Sequence, residues 1–177
     1  MAEIRLESHS VLFVHTQCRI LRDESQAEVL YGGSYGGYVA LLIAGRENSN
    51  HLFKAVIAHC GVYDLRQYPW HTQGTAEETM QTYAQTDNPQ EYARRAACIS
   101  PHTYIQQWEV PVLLIHHLHD TSTWVGQSIA AFNEALSLHK SVRLMIVNGP
   151  HTYDIPQQQT LFGHITHFAQ TAVETTK

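Results

Sequence analysis

The chain is 177 residues long, 44% apolar and 15% charged, with a formal net charge of −5. These values fit one soluble globular domain with a sizeable core and give no basic surface for a nucleic-acid partner. No run of about 18 apolar residues is present to span a membrane, and the opening "MAEIRLESHS" is charged and lacks the apolar core of a signal peptide.

In chain order, the first clear strand is "AEVLY" (27–31), an apolar run rich in strand formers. A glycine-rich turn follows within "YGGSYGGY" (31–38). The segment "YVALLIAGREN" (38–48) then repeats Tyr38, Leu41, Leu42 and Gly45 at helical steps. "FKAVIAHCGV" (53–62) reads as a buried strand. Residues 75–104 are polar and interrupted, with a helix start at Asn88-Pro89-Gln90-Glu91, where proline stands just inside the first turn. "VPVLLIHH" (110–117) is a second buried strand. "WVGQSIAAFNEALSL" (124–138) is a helix expected to bury Val125, Ile129, Phe132 and Leu136. "SVRLMIV" (141–147) is a strand, and a last helix over roughly 156–173 begins at Pro156 and presents Leu161, Ile165, Phe168 and Ala172. The alternation predicts an α/β fold in one domain, 1–177, with a mainly parallel sheet and helices on both faces.

Ligands in such sheets meet the loops at the carboxyl ends of strands. Ser34, Asp64, Asp120 and His151 stand there on successive strands. Gly32-Gly33-Ser34-Tyr35-Gly36 fits G-x-S-x-G, in which a strand-to-helix turn exposes the serine hydroxyl. The order Ser…Asp…His is that of α/β-hydrolases. A serine hydroxyl is a weak nucleophile until a base takes its proton. Histidine titrates near neutrality and suits that task. The acid sets the tautomer and stabilises the imidazolium. Asp120 is the expected acid, with Asp64 the alternative, and Asp154 is read as a cap of the last helix. His116 and His119 form an H-x-x-H pair, but on a strand end they point to opposite faces. No metal and no cofactor is expected. Cys18, Cys60 and Cys98 are read as free thiols in a reducing, cytoplasmic setting.

"GGSYGGY" closely resembles the nucleophile elbow of the prolyl oligopeptidase family, which includes acylaminoacyl and dipeptidyl peptidases. "LFKAVIAHCGVYDL", "ISPHTYIQQWEVPVLLIHHLHD", "HDTSTWVGQS" and "NGPH" resemble that family's later segments, so the likeness covers roughly residues 26–170. It implies Ser34 as nucleophile, Asp120 as acid and His151 as base, with the Tyr35 N–H as one oxyanion donor. "SVLFVHTQC" (10–18) resembles the family's oxyanion-loop strand, which implies a second donor near Thr16. His117 stands where the family usually has glycine, a departure that would crowd the acid loop.

The 33 residues before Ser34 leave room for two strands at most, so the fold is expected to be an α/β-hydrolase reduced at its N-terminus. The propeller domain of the family's peptidases has no counterpart in these 177 residues. Residues 66–104 form a possible lid insertion, whose Tyr68, Trp70, Tyr83 and Tyr92 either line an acyl pocket or pack the insertion onto the sheet. The expected function is a serine hydrolase, esterase or peptidase, acting on small esters or short peptide-like amides. The alternative is a catalytically inactive hydrolase-like binding module. An uncovered strand edge near residues 4–16 leads to the expectation of a homo-oligomer.

Overall fold

The computed structural model describes residues 4–6, 9–15, 18–22, 28–46, 52–151 and 159–174. Among the described residues seven strands form one sheet in simple chain order: β1 (Ile4–Leu6), β2 (His9–His15), β3 (Cys18–Arg22), β4 (Glu28–Gly33), β5 (Ala55–His59), β6 (Val112–His117) and β7 (Val142–Val147). The helices are α1 (Tyr35–Arg46), α2 (Ala76–Ala84), α3 (Pro89–Ile99), α4 (Gly126–Ser137) and α5 (Gln159–Glu174). Strands β4 to β7 pair in parallel, as the βα alternation predicts.

The segment before the elbow strand differs from expectation. It holds three strands rather than two, and β1 to β4 pair antiparallel. The neighbour of the elbow strand is therefore β3, and β2, which carries most of the segment 10–18, lies one position further out. Connection length decides this. Only residues 16 and 17 separate β2 from β3, and a parallel crossover takes a dozen residues or more.

Alternation along the central strands places helices on both faces. Leu30, Val56, Ala58, Val112 and Leu114 point to one side, against Ala40, Leu41 and Ala44 of α1 and Ala131 and Ala135 of α4. Val29, Tyr31, Ala55, Ile57, Leu113 and Ile115 point to the other, against Leu161, Ile165, Phe168 and Ala172 of α5. The expected face of the last helix is thus the one it buries. Pro156 and Asp154 lie outside the described residues.

In α4 the buried face is not the expected one. Gln127, Ser128, Ala131 and Ala135 face inward, while Ile129 and Leu136 are 41% and 49% exposed. Two alanines one turn apart let the helix axis approach the sheet closely, and the largest apolar residues are displaced to the flank, where Phe132 still meets the core.

The insertion at 66–104 folds into α2 and α3 plus a short 3-10 turn at Tyr68–Trp70. Thr75 and Glu78 form a reciprocal capping box at the start of α2. Asn88 caps α3, accepting from the N–H groups of Gln90 and Glu91, with Pro89 in the first turn. Among the described residues no helix is long and apolar enough to cross a membrane.

Candidate active site

The turn from β4 into α1 is built by glycines. A Cβ on Gly32 would stand 2.0 Å from the carbonyl oxygen of Gly36, and one on Gly61 would stand 2.6 Å from the carbonyl carbon of Gly37. These contacts bring the first turn of α1 directly over the end of β5. Ser34 adopts φ 53, in the left-handed region that side chains seldom occupy. Its N–H donates to the His59 carbonyl at 2.8 Å, which holds the strained residue in place. Tyr35 is the first residue of α1, where backbone N–H groups have no partner within the helix.

His151 follows β7 in the loop Asn148-Gly149-Pro150. That loop is joined to the loop after β6: Leu118 N–H donates to the Val147 carbonyl at 2.8 Å and His119 N–H to the Gly149 carbonyl at 3.0 Å. The pairing brings Asp120 and His151 together. His151 Nδ1–H donates to Asp120 Oδ2 at 2.6 Å. Because a carboxylate only accepts, this assigns the proton to Nδ1 and leaves Nε2 to accept from Ser34 Oγ at 2.9 Å. Asp120 is itself held from below. Its Oδ1 accepts from the N–H groups of Ser122 at 2.9 Å and Thr123 at 2.7 Å. Burial alone would raise its pKa, but hydrogen bonds from His116, His151 and the Thr123 N–H outweigh that and hold the carboxyl well below the usual carboxylate range. Ser34, His151 and Asp120 come from three strand ends and form one continuous hydrogen-bonded line.

Residues 22–174 match the prolyl oligopeptidase family. The chain belongs to that family. It is 31% identical over 145 residues to dipeptidyl-peptidase 5 of Porphyromonas gingivalis, covering 77% of this chain and 20% of that protein. Among solved structures it resembles an acylaminoacyl peptidase in complex with Z-Gly-Gly-Phe-chloromethyl ketone, with TM-score 0.64 and 28% identity over 75% of this chain and 21% of that one. The uncomplexed acylaminoacyl peptidase of Pyrococcus horikoshii superposes with TM-score 0.63 at 25% identity, covering 78% of this chain and 23% of that one. The chain thus spans about a fifth of the length of the relatives it matches.

Within this prolyl oligopeptidase fold, Asp64 is committed elsewhere. Its Oδ1 accepts from Arg66 Nε at 2.9 Å and its Oδ2 from Arg66 Nη2 at 2.7 Å, and it faces Arg66 rather than His151. Burial raises its pKa, but these bonds to Arg66 prevail and lower it. Thr16, expected to lend the second oxyanion donor, lies outside the described residues. The insertion aromatics divide. Tyr92 is buried and its hydroxyl donates to the Leu65 carbonyl at 2.6 Å. Tyr83 packs edge-on between Tyr38 and Tyr68, while Trp70 is 58% exposed. Tyr92 therefore anchors the insertion, and Tyr38 links Tyr83 to the ring of Tyr35 beside the nucleophile.

The two histidines of the H-x-x-H pair separate because β6 ends at His117 and His119 lies in the turn that follows. His116 is buried and His119 is exposed. His116 has a role that its spacing did not reveal. Its Nε2 faces the Thr123 carbonyl at 2.7 Å and Asp120 Oδ2 at 3.3 Å. Both are acceptors, so this nitrogen bears the hydrogen, and Nδ1 accepts from Ser128 Oγ at 2.7 Å. His116 thereby braces Asp120 at Oδ2, the same oxygen that His151 meets. The available signal was its position four residues before Asp120, at the inward-facing end of β6.

His117 does not crowd the acid loop. It turns under the loop, fully buried, to meet His59, with the two Nε2 atoms 2.9 Å apart. Gly149, at φ 138, makes room, since a Cβ there would lie 3.1 Å from His117 Nδ1. His59 Nδ1 pairs with Tyr31 Oη at 2.8 Å. Burial and then the neighbouring His117 push His59 down to about 3. His117 Nδ1 has no hydrogen-bond partner among the described residues, an omission that costs on the order of 1–3 kcal/mol.

Proposed function

We propose that the chain is a serine hydrolase that transfers acyl groups from small esters or short peptide-like amides to water through an acyl-enzyme on Ser34. The observation that carries this reading is the unbroken line from Ser34 Oγ to His151 Nε2 at 2.9 Å and from His151 Nδ1 to Asp120 at 2.6 Å. Ser34 Oγ attacks the substrate carbonyl while its proton passes to His151 Nε2. The bond to Asp120 keeps the accepting nitrogen aimed at the serine and stabilises the imidazolium that forms. The oxyanion that develops on the carbonyl oxygen is held by the N–H of Tyr35, at the positive end of α1. Collapse expels the leaving group, which takes the proton from His151. A water molecule then repeats the sequence against the ester, His151 first accepting and then returning a proton. The His151 side chain is 18% exposed, enough for substrate and water to reach it, whereas the carboxyl of Asp120 is shielded.

Membership in a peptidase family, and relatives described as dipeptidyl and acylaminoacyl peptidases, support the amide arm of this proposal. A fluorophosphonate probe tests it directly, because only a base-activated serine is phosphonylated at a useful rate. The folded chain should label on Ser34, Ser34→Ala should abolish labelling, and His151→Ala should reduce it to background. A folded chain that does not label would instead be a binding module with a hydrolase fold.

A further inference from the structure

Behind the proposed triad, at the carboxyl ends of β5 and β6, lies a second cluster that the acyl-transfer steps do not use. The rings of His59 and His117 are nearly parallel, 13° apart, with centroids 5.0 Å apart. Their facing Nε2 atoms are 2.9 Å apart. A centroid separation this large at so short an N···N distance means that the rings meet edge to edge, with both Nε2 atoms aimed into the same gap and one hydrogen between them. Cys60 follows His59 at φ 52. This left-handed kink at the end of β5 brings Sγ into a set, with His59 and His117, whose donor atoms all lie within 4.8 Å of one another. All three residues are fully buried.

We propose that His59, His117 and Cys60 form a binding site for a divalent transition-metal ion of the zinc class, with the fourth position open to water. Two imidazole nitrogens and one thiolate are the mixed donor set that borderline cations select over magnesium or calcium. The ion takes the place of the single hydrogen now shared between the two Nε2 atoms. Cys60 loses its thiol proton to solvent. Each imidazole stays neutral by carrying its hydrogen on Nδ1. For His59 that hydrogen already has an acceptor, because Tyr31 Oη lies 2.8 Å from Nδ1, which is the outer-shell arrangement typical of a metal-bound histidine. Zinc–nitrogen bonds of about 2.0–2.1 Å in a tetrahedral site need the nitrogens some 3.3 Å apart, so the pair opens by roughly half an ångström.

His117 Nδ1 is buried without a hydrogen-bond partner among the described residues with or without the ion, so the support for a ligand lies in the convergence of the donor atoms. Cys60 also belongs to a second set, with Asp120 and His151, whose donor atoms lie within 4.8 Å of one another. Cys60 therefore stands between the buried pair and the part-exposed His151. The spacing of His59, Cys60 and His117 along the chain shows none of this, since parallel pairing of β5 with β6 is what brings them together.

Cobalt(II) titration of chelator-treated full-length chain tests the site without relying on hydrolysis. One equivalent should bind with tetrahedral d–d bands and a thiolate-to-cobalt charge-transfer band in the near ultraviolet. Cys60→Ser should remove the charge-transfer band and His117→Gln should abolish stoichiometric binding, each with the fold checked by circular dichroism. Cys98→Ser and His119→Gln, at exposed positions, should leave both features in place. X-ray absorption of the zinc-loaded wild-type chain should show one sulfur and at least two imidazole neighbours, a result that depends on no variant. Folded wild-type protein without a charge-transfer band, a band that survives Cys60→Ser, or a zinc shell without sulfur would each overturn the assignment.

Discussion

Asp120 and Asp64 are two aspartates on neighbouring strand ends whose partners give them different work. Asp120 accepts from His151, from His116 and from two backbone N–H groups, so its charge is fixed and aimed at the imidazole. Asp64 is forked onto Arg66. Asp120→Asn should leave the fold intact yet lower kcat for an activated ester by about three to four orders of magnitude, because an amide no longer enforces the Nδ1–H tautomer. Asp64→Asn should leave kcat within a few-fold and act on stability. The sign follows from its lowered pKa: the contribution is complete above the unfolded aspartate value near 4 and is lost as pH falls through the folded value. Arg66 is 38% exposed, so screening limits the contribution to about 1–2 kcal/mol. Urea titrations of wild type and Asp64→Asn at pH 7 should therefore differ by that amount, and the gap should narrow steadily below pH 4. A constant gap down to pH 2 would show that Asp64 stabilises the fold by packing and not by charge.

At the scale of elements, the site depends on how closely α1 lies over β5. Gly37 and Gly61 face each other across that contact, and a Cβ on Gly61 would meet backbone atoms of Gly37 and Tyr38 at 2.6 and 2.9 Å. Backbone cannot turn aside as a flexible side chain can. Gly61→Ala should therefore cost about 1–3 kcal/mol and lift the first turn of α1 away from Ser34. Gly163 in α5 is the matched control, since a Cβ there meets nothing within 4 Å. There Ala should raise stability by up to about 1 kcal/mol through helix propensity. Thermal melts of both variants read the two signs, and a neutral Gly61→Ala would mean that the α1–β5 contact has slack.

At the scale of the whole molecule, the oxyanion donor proposed among the described residues is the Tyr35 N–H on α1, and the chain spans about a fifth of the length of its relatives. Ester hydrolysis asks less of such a site than amide hydrolysis. An activated phenolate leaves without a proton, whereas an amine needs one from His151 and a well-held tetrahedral intermediate. The specificity constant for p-nitrophenyl butyrate should exceed that for a peptide p-nitroanilide by at least about a hundredfold, the usual worth of one oxyanion donor. Equal constants for an anilide and its matched ester would imply a fully formed oxyanion hole and a true peptidase site.

Local rules were enough to read much of this protein from its residues. Glycines around Ser34 announce a turn too tight for side chains, apolar runs of five or six residues announce strands buried on both faces, and Asn88-Pro89 announces a helix start. Each of these signals lies within one turn or one strand, so the chain alone contains the physics. The strand-end order of Ser34, Asp120 and His151 follows from these signals taken in order, while the prolyl oligopeptidase family was legible only through the resemblance of "GGSYGGY" and the segments after it. What only the tertiary structure decided are questions of distance between segments far apart in sequence. The buried face of α4 was set by how near two alanines let it approach the sheet, not by its largest apolar residues. The antiparallel run of β1 to β4 was set by connections of two, two and five residues that leave no room for a crossover. The bracing of Asp120 by His116, and the meeting of His59, Cys60 and His117, arise because parallel strands place their ends side by side, and no periodicity along the chain encodes which ends become neighbours.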